Sequence, residues 1–201
     1  MATSGLMAKA PASAAPGGAP QLSPKDWVDA AMAVLVDQGI DHVRVDVLAK
    51  QLGVTRGSFY WHFRDREDLL RRVLQSWSER TTAQLTERLK QARTNPLEQL
   101  QDLASLPHRG RAAAKAARIE MAIRAWARRD AEAAAVLQAS DAARIGYHQQ
   151  VFEALGFAEA EAKARAYLLY GYEVAESLMP HGTPPDREAR QGLLLRLLTK
   201  P

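Results

Sequence analysis

Residues 44–64, Arg-Val-Asp-Val-Leu-Ala-Lys-Gln-Leu-Gly-Val-Thr-Arg-Gly-Ser-Phe-Tyr-Trp-His-Phe-Arg, read as two short helices and the turn between them. Val45, Leu48 and Leu52 recur at spacings of three and four, which gives a helix over 45–52 one apolar face. Gly53 ends it, because the residue after a helix often turns left-handed and a Cβ there costs roughly 1–2 kcal/mol. Thr55 is placed to cap a second helix over 56–63 through its hydroxyl. Ala49 is small where the helices should cross, and Val54, Phe59 and Phe63 supply the inward face. The other face carries Arg56, Ser58, Tyr60, Trp61 and His62, donors and flat rings suited to phosphate oxygens and base edges. Consecutive helical positions differ by about 100°, so Tyr60, Trp61 and His62 cannot all face a core. Two helices joined by a short turn containing glycine are how helix-turn-helix proteins present a recognition helix to the major groove. A helical hairpin buried in an all-α core is the alternative.

Outward from this segment the chain gives helices and almost no strand signals. Ser23-Pro24 starts a helix that buries Trp27, Ala30, Ala31, Val34 and Leu35 and stops at Gln38-Gly39. Asp65 caps a long helix, with Asp68 completing a weaker capping box. Leu69, Leu70, Val73, Leu74, Trp77, Leu85 and Leu89 run along it to Asn95-Pro96. This helix joins two regions and is a natural lever between them. A short helix to about Ser105, a break at Leu106-Pro107, and a helix through Ile119, Ala122, Ile123 and Trp126 follow. Asp130 opens the next helix, closed by Gly156. Between Ala158 and Met179 two apolar stripes coexist, one through Ala162, Ala166, Leu169 and Tyr170, the other through Tyr167, Gly171, Val174 and Leu178. Such a helix is buried on two faces. The final helix, over about 185–198, carries Leu193, Leu194, Leu195, Leu197 and Leu198, too apolar for a solvated terminus. The last two helices are therefore expected to pair with a second copy in a four-helix bundle, against the alternative of a monomer that folds the leucines into its own core.

The 201 residues suffice for one or two domains with a real core. Absence of cysteine excludes disulfides and thiol catalysis and fits a reducing cytoplasm. No run of about eighteen uncharged apolar residues is present, so no membrane span is expected. Residues 1–20, rich in Pro, Gly and Ala with Lys9 the lone charge, read as a disordered tail with little to hold DNA. The net charge of +4 says less than its placement. Arg44, Lys50, Arg56 and Arg64 face only Asp46 between His42 and Arg64, a positive face on an otherwise balanced segment. The stretch Arg109, Arg111, Lys115, Arg118, Arg124, Arg128 and Arg129 is the most basic; it reads as a solvated helix face, a second DNA surface or an anion site.

The run from Leu48 to Leu69, with Ala49, Gly53-Val54, Gly57, Phe59-Tyr60, His62-Phe63 and Glu67-Asp68-Leu69, closely resembles the DNA-binding segment of TetR-type (tetracycline-repressor-like) transcriptional regulators. The motif likeness covers about residues 22–72. It implies an all-α fold of about nine helices: an N-terminal three-helix DNA-binding domain over 21–65, then a dimerising, effector-binding helical domain over 66–201. It also implies that Thr55, Arg56, Ser58, Tyr60, Trp61 and His62 contact DNA, with Arg66 on a phosphate. Arg44 departs from the family, which often has Thr or Ser there as a cap; a guanidinium can bind the same phosphate bidentately.

An effector pocket is expected between the C-terminal helices, with Trp77, Met121, Trp126, Tyr147, Phe152, Tyr170 and Glu173 as candidate lining by residue type, each equally suited to plain core. Glu120 and Glu173 sit in apolar helix stretches, and either one buried without a basic partner would point to a cationic or hydrogen-bonding ligand. His42, His62, His108, His148 and His181 form no zinc motif, no glycine loop follows a strand, and Ser58 is in no nucleophile elbow, so neither catalysis nor a metal or cofactor is expected. The resulting expectation is a cytoplasmic homodimeric repressor released from a palindromic operator by a small molecule. The alternatives are an activator, a ligand-independent regulator, or a helical protein-interaction module.

Overall fold

Local signals at the helix ends set the frame. The structure, a computed structural model, describes residues 22–90, 95–179 and 182–200, with the side chains of 85, 86 and 88–90 excepted. The tail 1–20, His181, and the side chains of Leu85 and Leu89 lie outside the described residues. Helix α1 spans Pro24–Gln38. At its start the Asp26 carboxylate accepts from the Ser23 backbone N–H at 2.7 Å and the Ser23 hydroxyl at 2.6 Å. Helix α2, Val45–Leu52, ends at Gly53 in the left-handed region (φ 69°, ψ 29°), as the sequence predicts.

Helix α3 spans Arg56–Tyr60, shorter than the 56–63 expected. Past Tyr60 the chain tightens into a turn, with the N–H groups of His62 and Phe63 both donating to the Phe59 carbonyl at 2.9 and 3.0 Å. Thr55 occupies the N-cap position of α3, but its side chain makes no capping bond, so the expected hydroxyl cap is corrected. Arg44 precedes α2 without capping it either. Helix α4 spans Arg66–Lys90. Asp65 Oδ1 accepts from the Asp68 N–H at 2.7 Å, while Asp68 Oδ2 accepts from the Arg64 N–H at 3.1 Å, one residue upstream of a regular capping box.

Asn95 accepts from the Leu97 N–H at 3.0 Å to start α5, Pro96–Ala104. A 3-10 turn over Leu106–His108 leads into α6, Gly110–Ala127. Asp130 accepts from the Ala133 N–H at 2.9 Å and opens α7, Ala131–Ala154. Helices α8, Glu159–Leu178, and α9, Pro184–Thr199, complete the chain. Among the described residues the fold is all-α, with nine helices, two 3-10 turns and no strand. No described helix is long and apolar enough to cross a membrane.

Two apolar cores hold these helices. One joins Trp27, Leu35, Leu48 and Phe59 of the first three helices to Leu69, Val73 and Trp77 of α4 and on to Ile123 and Trp126 of α6. The other packs α5, α7, α8 and Leu198 of α9 around Leu100, Phe152 and Leu169. The packing of the head therefore continues past residue 65 into α4 and α6. Ion pairs reinforce that seam: Arg118 meets Asp37 at 2.8 Å, Arg129 meets Asp41 at 2.8 Å, and Arg80 meets Asp29 at 3.1 Å. Of the basic stretch 109–129, Arg109, Arg111, Lys115, Arg118, Arg128 and Arg129 are exposed, as a solvated face requires, with Arg118 and Arg129 also paired to the head, and only Arg124 turns into an internal cluster.

The carboxyls at the starts of α1 and α9 are alike. Hydrogen bonds from Ser23 hold Asp26, and those from Thr183 hold Asp186, below the usual carboxylate range of 3.8. A depressed folded pKa contributes stability above the unfolded value, lost as pH falls through the folded one. The variant D26N/D186N should melt below the unsubstituted chain at pH 7, and the gap should close as pH drops below about 3.8 in circular dichroism melts. A gap unchanged at pH 2.5 would contradict this.

Candidate nucleic-acid interface and effector cavity

Phe59 anchors α3 in the first core. It is fully buried, edge-on to Trp27 at 5.3 Å and stacked on Phe63 at 5.3 Å. With Phe59 inward, the helix turn carries its neighbours outward: Tyr60 is 57% exposed and Trp61 86%. Thr55 and Arg56 are exposed beside them, and Ser58 and His62 are half-buried. Arg56 and Lys50 have no ion-pair partner among the described residues, whereas Arg44 meets Asp46 at 3.3 Å and Arg64 meets Asp68 at 3.5 Å. Around α3 the expected residues are thus at least partly accessible, with Arg56 outside any ion pair among the described residues and two exposed aromatic rings.

Arg66 is different. Its Nε donates to the Val43 carbonyl at 2.6 Å and Nη2 to the Ile40 carbonyl at 2.8 Å. The side chain ties the start of α4 to the turn before α2, and the expected phosphate contact is corrected to this internal clamp. Removing both donors takes one bond from each carbonyl, the Ile40 carbonyl keeping the Val43 N–H at 3.2 Å, so Arg66→Met should cost about 1–3 kcal/mol in denaturant unfolding. Unchanged stability in that variant would mean that water replaces the clamp.

The second site is a cavity of about 490 Å3 walled by α4, α6, α7, α8 and the 3-10 turn between α5 and α6. Of the expected lining, Tyr170 and Glu173 border it. Trp77 belongs to the first core and Tyr147 and Phe152 to the second, while Trp126, also of the first core, and exposed Met121 border a separate hollow between α6 and α1, so none of these five lines the cavity and the expectation is corrected. The size and apolarity of the four aromatic residues, which suggested a ligand, serve packing instead.

Sequence reasoning missed the polar end of the cavity. Arg124 donates to Glu120 Oε1 at 2.7 Å, to Asp141 Oδ1 at 2.8 Å and to the Tyr170 hydroxyl at 2.9 Å. Arg144 donates to Glu120 Oε2 at 2.9 Å and to Tyr170 at 2.8 Å, and Tyr170 donates to Asp141 at 2.6 Å. Burial pushes the Tyr170 phenol well above its ordinary value, so it remains a neutral donor. Glu120 therefore has two basic partners, and its proposed role as an unpaired buried carboxylate falls away. Glu173 faces His148 at 3.5 Å. The pairs Glu120/Arg124 and Asp141/Arg144, spaced by four and three, are legible as helix-face pairs; their meeting across α6 and α7 is not.

At the far end, α9 lies on α8. Arg190 grips Glu176 at 2.7 and 3.0 Å, and Arg165 donates to the Leu198 and Lys200 carbonyls at 2.6 and 2.8 Å. Leu198 is buried by this docking, yet Tyr167 and Leu168 of α8 and Leu193 and Leu197 of α9 remain exposed, Leu197 by 61%.

Residues 28–73 match the sequence model of the tetR family of bacterial regulatory proteins. The HTH-type transcriptional regulator SrpR of Pseudomonas putida is 45% identical over 49 residues, which is 24% of this chain and 23% of that protein. The chain thus spans about a quarter of that curated relative's length. Over the whole fold it resembles a transcriptional regulator from Rhodococcus sp. Rha1, with a TM-score of 0.70 at 20% identity over 88% of this chain and 96% of that one. It also resembles AibR, solved in complex with isovaleryl coenzyme A and operator DNA, with a TM-score of 0.63 at 17% identity over 88% of this chain and 98% of that one.

Proposed function

We propose that this chain, which carries a TetR-type N-terminal domain, is a cytoplasmic homodimeric repressor that leaves a palindromic operator when a small molecule enters the α6–α8 cavity. The exposed Tyr60–Trp61 face, held out by buried Phe59, is the observation that carries the DNA-binding part. Head residues 21–65 would read DNA, Arg56 at a base edge or phosphate, Thr55, Ser58, Tyr60, Trp61 and His62 around it, and Arg44 on the backbone after releasing its weak pair with Asp46. The exposed apolar face of α8 and α9 supports pairing with a second copy, which would set two recognition helices roughly 34–36 Å apart.

Release would run through α6. One side of α6 lines the cavity with Ala117, Glu120 and Arg124; its other side sets Arg118 and Met121 beside α1 and the turn that follows it, where Arg129, just past the end of α6, also meets Asp41. The sequence-based lever was α4; the contacts of α6 with the head make it a second transmission element. A ligand shifts the equilibrium only by its differential affinity for the two arrangements, so tenfold weaker operator binding needs about 1.4 kcal/mol of coupling.

The test is fluorescence anisotropy, with a salt titration, on DNA from upstream of the gene and a scrambled duplex. Expected are a preference of about 10³ or more and a steep salt slope. In the same assay Arg56→Ala should lose about 1–3 kcal/mol and relax specificity at one base position. Equal affinity of Arg56→Ala and the unsubstituted protein for both duplexes would sink the assignment of this face.

A further inference from the structure

We infer that the cavity takes an uncharged molecule with a flat apolar body and a carbonyl-type acceptor, held by Arg144. This rests on the reading of the cavity as the effector site. Arg144 lines the cavity and donates through Nη1, to Glu120 and Tyr170. Its Nε and Nη2 carry three further N–H donors with no acceptor among the described residues, and 21% of the side chain stays accessible. An arginine that presents unfilled donors to a cavity selects an acceptor.

Charge decides which kind of acceptor. Two guanidiniums, Arg124 and Arg144, share this end with three carboxylates, Glu120, Asp141 and Glu173, so the cluster carries no positive excess even with the His148 imidazole counted as a cation. A carboxylate or phosphate would lose its water beside Glu120 and Glu173 without a surplus cation to compensate. A cation fares no better, because both oxygens of Glu120 and of Asp141 already accept from arginine and Glu173 already faces the His148 imidazole at 3.5 Å. A neutral ketone, ester or amide oxygen can accept from Arg144 and disturb neither pairing.

The walls decide the body. Ala112, Ala113, Ala116 and Ala117 line one side at helical spacings of one, three and four, and Val174 and Leu178 of α8 also border the space. Four methyl groups in register make a low, even wall, which a planar ring system covers with more contact than a branched chain. The volume of about 490 Å3 lies within the roughly 300–1,000 Å3 usual for drug-sized ligands.

Four probes of one shape test this by NMR titration of the intact protein: 2-acetonaphthone, naphthalene, 2-naphthoate and 2-naphthylmethylammonium. The ketone should bind about tenfold tighter than each of the others, the gain of one hydrogen bond to a charged donor. Ala117→Trp, which fills the cavity, should abolish its binding, and Arg144→Lys, which keeps the charge but loses the fork, should remove its lead over naphthalene. Naphthoate or the ammonium binding as tightly as the ketone, still blocked by Ala117→Trp, overturns the ligand class and leaves the cavity reading intact. If no probe binds, or if Ala117→Trp leaves binding unchanged, the cavity reading falls and the class with it. The ranking on the unsubstituted protein decides even where a variant fails to fold.

Discussion

Phe59→Ala is expected to destabilise the head by about 3–5 kcal/mol, while Trp61→Ala, two residues on, leaves stability within about 0.5 kcal/mol and still loses DNA. Phe59 is fully buried between Trp27 and Phe63, so truncation opens a cavity where three rings meet. Trp61 is 86% exposed and supports nothing inside. Thermal melts and operator anisotropy on the same two variants separate the roles: Phe59→Ala should fail both, Trp61→Ala only the second. A Trp61→Ala chain that binds operator at full affinity would remove this ring from the interface. One that melts as early as Phe59→Ala would show that Trp61 packs in the folded protein.

The head was legible because its signals are local. A glycine stop after Leu52, an apolar repeat at three and four, and the impossibility of burying three consecutive rings all act within about twenty residues. Gly53, the buried pair Leu48 and Ala49, and inward Phe59 and Phe63 follow that reading. Arg66 did not, since what occupies its guanidinium lies 23 and 26 residues upstream. Helix α3 was overextended for a related reason: Phe63 is inward, which mimics another helical turn, but it arrives there through a tightened turn on the Phe59 carbonyl.

The cavity was less legible because it is defined by what does not fill it. Large apolar residues were the natural candidates, and Trp77, Trp126, Tyr147 and Phe152 were taken by the two cores. Alanines at 112, 113, 116 and 117 read as an ordinary helix-forming run, although their small volume is what leaves room. Ion pairs between the head and α6 or the turn just past it were equally hidden: Arg118 and Asp37 are 81 residues apart, Arg129 and Asp41 88. Each is exposed and worth little alone, so their effect is on how α6 is aligned with α1.

Arg124→Leu is expected to cost about 2–4 kcal/mol, below the roughly 3–5 kcal/mol of a fully buried pair because the cluster keeps some access to solvent. The guanidinium serves Glu120, Asp141 and Tyr170 together, on three helices. Its loss leaves two carboxylates with Arg144 alone, and Arg144 lies 3.8 Å from Asp141. Removing Asp141 as well should then recover most of the loss, since Glu120 retains its 2.9 Å bond to Arg144. Denaturant unfolding of Arg124→Leu, Asp141→Leu and the double variant measures that recovery. Additive losses in the double variant would mean that the pair is not coupled, and the cluster would then serve as packing alone. Strong coupling would instead make it the joint through which α6, α7 and α8 move as one unit. An occupant of the cavity that engages Arg144 would then act on the joint that holds α6, whose opposite side meets the head through Arg118 and Asp37.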